Sequence, residues 1–244
     1  MYFANFPLIP YDSVGNGEFK LVTHLLKRVA IRTKVRTNTA LYDTYDIKEG
    51  ETPEILADKL YGDAELHWVI LLVNDITDRY HQWPKNYNQF LAYINDKYSN
   101  PILILSTIFG TFTRGETITG SNSGATGQII DTLSPMSYIS TNSFVFTAND
   151  SITGGTSGAT SAVDDTTSGV DGTHHYEISQ VSGDTTIKID IGTDNTDYPA
   201  ASIVTNYEYE EDLQDKKRKI RLLDPIHVED FVTEFEKLMG ESVR

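Results

Sequence analysis

The sequence predicts an α+β protein: a strand–helix–helix unit with flanking helices, a C-terminal strand and helix, and an all-β insertion rich in Ser, Thr and Gly. Three observations predict it. Residues 42–74 link a strand-like run to two short apolar helices through recognisable turn and cap residues. Residues 98–187 hold one Lys or Arg, Arg114, and are crowded with Ser, Thr, Gly and Asp. Lys219-Ile220-Arg221-Leu222-Leu223 alternates as a strand before a segment with helical periodicity. These shifts divide the chain into an N-terminal arm and basic segment (1–40), the strand–helix–helix unit with the aromatic loop and helix after it (41–105), a β insertion (106–185), and a strand and helix completing the parent fold (186–244).

The first ten residues are apolar, but two prolines break them and no basic start precedes them, so they do not read as a signal peptide. Phe3, Phe6, Leu8, Ile9 and Tyr11 are more than a short prolyl arm can bury; they fold back on the domain or dock on another subunit, and docking is the expectation. Lys20, Lys27, Arg28, Arg32, Lys34 and Arg36 follow with no acid between Glu18 and Asp43. This patch, and a second at Lys216, Lys217, Arg218, Lys219 and Arg221, reads as a solvated face or as contact with an acidic protein.

Residues 42–47 then form a strand, and Lys48-Glu49-Gly50-Glu51 turns the chain. Thr52-Pro53 supplies an N-cap hydroxyl and a proline at the first helical position, where a missing N–H costs nothing. Ile55, Leu56 and Leu60 are the expected buried stripe. Gly62 ends that helix in a left-handed conformation, and Asp63 caps the next. Residues 66–73 are apolar nearly all round, so this helix must be enclosed, with Trp68 central to the packing. A strand must close the unit, and hydrophobic candidates stand near Ile102 and near Ile220. Residues 86–98 form an amphipathic helix through Tyr87, Phe90, Leu91, Ile94 and Tyr98, ended by Asn100-Pro101. After residue 223, Asp224-Pro225 opens a helix burying Val228, Phe231, Val232, Phe235 and Leu238, and Gly240 stops it.

The insertion contains a repeat. Residues 112–126 align with residues 146–160 at an offset of 34, sharing Phe, Thr, Ile, Thr, Gly, Ser, Gly, Ala and Thr in register. Thr117-Ile118-Thr119 and Gln128-Ile129-Ile130 suit strands joined by tight turns.

Tyr45, Gly50, Thr52, Leu56 to Gly62, Trp68-Val69-Ile70 and Asn74 together resemble the LysM module, which implies a βααβ core and, in that family, binding of N-acetylglucosamine polymers through loops beside the two helices. Thr52 and Pro53 fall in the first loop, and residues 75–84 stand where the second is short. The wider pattern adds Tyr80-His81-Gln82-Trp83-Pro84, Tyr207-Glu208-Tyr209-Glu210 and residues 217–223. It resembles the LysM-containing baseplate wedge subunit of contractile-tailed phages of the T-even type, over about residues 1–100 and 205–244. The resemblance implies an α+β fold with a LysM-like βααβ core and a virion protein of the tail baseplate, assembled in the host cytoplasm. It implies an adaptor that clamps neighbouring wedge cores around the hub, with other wedge and sheath-initiator-like subunits as partners and without catalysis or cofactor. The expected protein contacts are Phe3, Phe6, Lys27, Arg28, Arg32, Tyr80, Trp83, Lys217 and Arg218. The alternative is a glycan-binding module.

Composition narrows the remaining chemistry. With no cysteine, thiolate metal sites, disulfides and cysteine nucleophiles are excluded. The net charge of −15 opposes binding to nucleic acid or anionic membranes, and no apolar run approaches the roughly 20 residues of a membrane span. His174-His175 reads as a solvated loop pair, since neighbours on a strand face opposite ways and could share a metal only from a bent loop. His67 reads as a packing residue. His81 and Trp83 sit in a loop, as contacts or as a cap on the core. Asp164-Asp165, Glu208, Glu210 and Glu211 read as solvated acids, and Tyr207 and Tyr209 as same-side residues of a strand. No catalytic, cofactor or metal constellation is expected.

Overall fold

The computed structural model describes residues 6–27, 39–133, 138–143, 145–182, 185–192 and 195–240. The chain divides into two compact units, one of residues 1–86 with 214–244 and the other of residues 87–213. The first opens with a hairpin of β1 (Leu8–Tyr11) and β2 (Lys20–Thr23), antiparallel with Leu8 opposite Thr23. After β3 (Tyr42–Asp46) come α1 (Pro53–Tyr61), a 3-10 turn at Ala64–Leu66, α2 (His67–Val73) and the short α3 (Arg79–Gln82).

The local signals act as the sequence dictates. The Thr52 hydroxyl accepts from Ile55 N–H at 3.4 Å, Gly62 ends α1 at φ 72° and donates to Asp58 O, and Asp63 accepts from Glu65 N–H at 2.8 Å. Pro53, Leu56 and Ala57 form the buried face of α1, Leu60 is half-buried, and Ile55 is 52% exposed. Leu56 and Leu60 therefore lie on the core face as expected and Ile55 does not, because the 1, 4, 5 spacing from Pro53 puts Ala57 there in its place. α2 is enclosed on two sides, as its composition requires. Trp68, Val69 and Val73 enter one apolar cluster, and Ile70 enters another with Ile47, Leu56 and Trp83.

Among its described residues, the second unit contains α4 (Tyr87–Lys97), nine strands and the start of α5 (Asn206–Arg218). Six strands close a barrel: β4 (Ile102–Phe109), β5 (Thr117–Gly120), β6 (Thr126–Leu133), β7 (Tyr138–Thr141), β8 (Ser151–Gly154) and β9 (Thr160–Thr167), in the order 4-7-6-5-8-9. The expected boundary at residue 105 falls inside β4, since Ile102, Leu103 and Leu105 are buried barrel residues. The sequence repeat is a structural one. β5 and β8 pair across a pseudo-twofold with Thr119 opposite Thr153, its own equivalent, and β4 and β7 pair likewise with Ile104 opposite Tyr138. The core is duplicated to match: Phe112 with Phe146, Ile118 with Ile152, Ala125 with Ala159, and Ile129 with Val163. β10 (Thr173–Ser182), β11 (Thr185–Gly192) and β12 (Ser202–Thr205) form a separate antiparallel sheet with β10 central. Tyr207 and Tyr209 lie on α5, a helix rather than the expected strand.

The chain then returns to the first unit with β13 (Lys219–Leu223) and α6 (Val228–Gly240). β13 pairs antiparallel with β3, Ile220 opposite Tyr45. Of the two candidate closing strands, the one near Ile220 is used, and the one near Ile102 belongs to the barrel. The strand–helix–helix–strand unit is thus completed by a segment about 145 residues beyond α2. On α6, Val228, Phe235 and Met239 are buried, with Phe231, Val232 and Leu238 half-buried. Met239, four residues after Phe235, takes the innermost place expected of Leu238.

Candidate functional site

Asn74, at the end of α2, joins the helix to the distant strand. Its amide nitrogen donates to Ile70 O at 2.9 Å and to Arg221 O at 2.7 Å, while its Oδ1 accepts from Arg221 N–H at 2.9 Å. The side chain therefore satisfies the backbone of β13 on the edge away from β3, as a third strand would. Trp68 is 6% exposed and packs against Phe235 and Phe231 at ring distances of 4.5 and 6.2 Å. Tyr61, beneath the same cluster, donates to Leu223 O, and burial pushes its phenol up to about 12.

The turn after β3 is held by polar contacts. Gly50 takes φ 78°. Tyr45 donates to the Glu51 carboxylate at 2.8 Å, with Lys59 at 3.1 Å and Lys48 N–H at 3.0 Å on the same group. Burial works against ionisation of Glu51, but these donors outweigh it and hold its carboxyl below the usual range.

The expected contact residues are divided by the fold. Phe6 is 7% exposed and lies in the core cluster with Trp68, so it is an internal anchor and not a docking side chain. Trp83 is 6% exposed and donates to Glu51 O at 2.9 Å, which makes it a lid on the core. Lys27 is half-buried, and its ammonium donates to Met239 O at the end of α6, capping that helix where its dipole is negative. Tyr80 is 82% exposed on α3. Lys217 and Arg218 stand in the last turn of α5, where cations complement the helix end. Arg218 also faces Glu49 and Asp215 at 3.6 and 3.7 Å. Phe3, Arg28 and Arg32 lie outside the described residues.

The two loops matched to a glycan site are internally committed. The Thr52 hydroxyl caps α1, and Gln82 Oε1 accepts from Thr77 and Asp78 N–H at 2.8 and 2.9 Å. Asp78 accepts from Tyr80 N–H at 2.9 Å and lies 2.5 Å from the exposed His81, which sits on α3 and not in a loop. The His81 contact and these backbone donors outweigh the residual desolvation and keep the Asp78 carboxyl below its ordinary range. Arg79 reaches across to Glu54 at 2.7 Å, tying α3 to the start of α1.

In the second unit, His174 and His175 are on strand β10 and not in a solvated loop. A bulge between Thr173 and His175 brings their Nδ1 atoms to 2.9 Å, overriding the strand alternation that would separate them. His175 is 7% exposed and lies 3.3 Å from Glu177, while His174 stacks on Tyr209 at 3.7 Å. Burial, with the neighbouring His175, pulls the His174 imidazole below its ordinary value. Glu210 is 2% exposed, accepts from Tyr98 at 3.1 Å and pairs with Lys97, so it is no solvated acid. Among the described residues, no group of three or more His, Asp or Glu is placed to hold a metal ion, and no helix is long and apolar enough to cross a membrane.

Sequence reasoning passed over Glu116 and Asp150. They occupy equivalent positions of the repeat, and each caps the turn of the other copy. Glu116 accepts from Ser157 N–H and hydroxyl at 2.9 Å and from Thr156 N–H at 3.2 Å; Asp150 accepts from Asn122 N–H at 2.9 Å and from the Ser123 hydroxyl. Burial opposes ionisation at both, yet the donors win, and both carboxyls sit below their ordinary values. The signal was an acid at the same register in each copy, Glu in one and Asp in the other.

With the geometry in view, comparison with known proteins bears on the N-terminal part of the chain. Residues 1–100 match the family described as Base plate wedge protein 53. The chain is 34% identical over 79 residues to Baseplate wedge protein gp53 of Enterobacteria phage T4, an alignment that takes in 32% of this chain and 35% of that protein. The match thus spans about a third of the relative's length. By its name, the T4 relative is a wedge protein of its phage's baseplate.

Proposed function

We propose that this chain is a non-catalytic adaptor of the baseplate wedge. It clamps neighbouring wedge cores together around the hub through protein–protein contacts, next to a sheath-initiator-like subunit. The observation that carries the reading is the family match across residues 1–100, which covers the hairpin, β3 and the helices α1 to α3 of the first unit. The build of that unit is in keeping with it: its polar groups are spent on holding the scaffold together, and its exposed apolar side chains are concentrated on one hairpin. The LysM-like core serves here as a scaffold. The test is capture of the tagged full chain from phage-infected lysate with identification of the co-purified proteins. Recovery of wedge and sheath-initiating subunits is expected, and their absence sinks the reading.

A glycan-binding reading draws on one observation, the strand–helix–helix–strand unit with Asn74 at the end of its second helix. Sedimentation of the purified chain with peptidoglycan, competed by N-acetylglucosamine oligomers, would favour it over the adaptor. The commitment of Thr52, Asp78 and Gln82 to internal hydrogen bonds leads us to expect no sedimentation.

A further inference from the structure

The hairpin of residues 7–26 is fixed at both ends and exposed between them. Phe6 is sunk in the core at one end, and Lys27 caps α6 at the other. Between these anchors Leu8, Tyr11, Phe19, Leu21, Leu25 and Leu26 are 55–87% exposed. A two-stranded hairpin is marginal in water by itself, and this one is braced by its turn. The Asp12 carboxylate accepts from the N–H groups of Val14, Gly15, Asn16 and Gly17 at 2.6–3.3 Å. It is a preorganised element carrying an apolar surface that its own unit leaves uncovered.

Its two edges differ. His24 N–H donates to Pro7 O at 2.9 Å, and the alternation of an antiparallel pair then turns the backbone of Val22 and Lys20 inward and that of Leu21 and Thr23 outward. On β1 the outward position opposite Leu21 is Pro10, which has no N–H, so that edge cannot propagate a ladder. On β2, Leu21 N–H, Leu21 C=O and Thr23 N–H find no partner among the described residues.

We propose that the outer edge of β2 takes an added strand from another protein of the baseplate, an extended apolar segment bearing Asp or Glu. Charge selects that chemistry. Lys20 stands on the strand, and the sequence beyond Lys27 adds Arg28, Arg32, Lys34 and Arg36 before the next acid, Asp43. Pairing with a second copy would bring together two chains of net charge −15, which mutual repulsion disfavours. Backbone pairing gives such a contact its strength and the alternating apolar side chains its selectivity. The proposal rests on the baseplate reading.

Three measurements on the full chain test it. Amide exchange of the isolated protein should show Leu21 and Thr23 exchanging as fast as exposed loops; protection there would mean that the chain covers its own edge, and overturns the proposal. A photoreactive benzoylphenylalanine in place of Phe19, in phage-infected cells, should cross-link to an acidic apolar segment of another baseplate subunit. A cross-link to a second copy, or to none, overturns it. Leu21→Pro removes an outward N–H without touching the bonds to β1, and should cut recovery of that subunit about tenfold or more at an unchanged melting temperature. Equal recovery by wild type and variant rejects the edge and leaves the adaptor reading standing, whereas a wild type that recovers no baseplate subunit rejects both.

Discussion

Asn74 shows how much one side chain can hold. It is bonded to a helix carbonyl and to both backbone groups of Arg221, so truncating it leaves half-buried donors and acceptors of β13 without partners. Asn74→Ala should lower unfolding stability by about 2–4 kcal/mol, the cost of orphaning two or three such groups, read from urea denaturation of the full chain. A loss below about 0.5 kcal/mol would mean that water replaces the amide. Lys27 carries a similar lesson. Read as part of a basic patch, it belongs in fact to a helix end, so reversing its charge would disturb folding as well as any partner. Phe6 and Trp83 were legible as large aromatics with burial and contact both left open, since nothing local to either residue specifies the cluster that receives it.

At the scale of elements, the barrel is a pair of three-stranded copies that exchange carboxylate caps. Gly120 and Gly154 lie under the same contacts, and a Cβ at either would run into the capping Ser and the carboxylate. Because Glu116 and Asp150 ionise below their ordinary values in the folded chain, their contribution is fully present above the unfolded pKa values of about 4. It is lost as pH falls through the lower folded values. Acidification below about pH 4 should therefore destabilise the barrel, and Glu116→Gln with Asp150→Asn should reduce the steepness of that loss. Each substitution should also cost about 1–3 kcal/mol at neutral pH. Melting temperature followed from pH 7 to pH 2 checks this; an acid limb as steep in the double variant as in wild type would assign it to other carboxylates. α5 offers a second lesson. Tyr207 and Tyr209 alternate like strand residues, but Glu208 in its first turn and Lys216, Lys217 and Arg218 in its last are the charges a helix dipole favours, and they were readable.

At the scale of the molecule, the second unit leaves and re-enters the first at neighbouring points: Lys85 N–H donates to Gln214 Oε1 at 3.0 Å. Joining Asn86 to Gln214 through a short linker, with residues 87–213 removed, should leave a first unit that unfolds cooperatively. A non-cooperative melt of that variant would show that the unit depends on the excised segment. Removing instead the insertion as composition bounds it, residues 106–185, should not leave a cooperative fold, for a structural reason. It divides β4, removes the barrel partners of what remains and takes the central β10 from β11 and β12.

The sequence by itself determined what depends on a few adjacent residues: the Thr52-Pro53 start and Gly62 stop of α1, the enclosed character of α2, the strand at residues 219–223, and the repeat at an offset of 34. Caps and periodicity act within a turn or two, so they can be read without knowing the fold. Tertiary structure alone decided which hydrophobic strand closes the first unit, that the repeats close into one barrel, and which aromatic and basic side chains face inward. Strand pairing and burial are settled between segments a hundred or more residues apart, where Ile102 and Ile220 are equally apolar and only competition for the same partners distinguishes them.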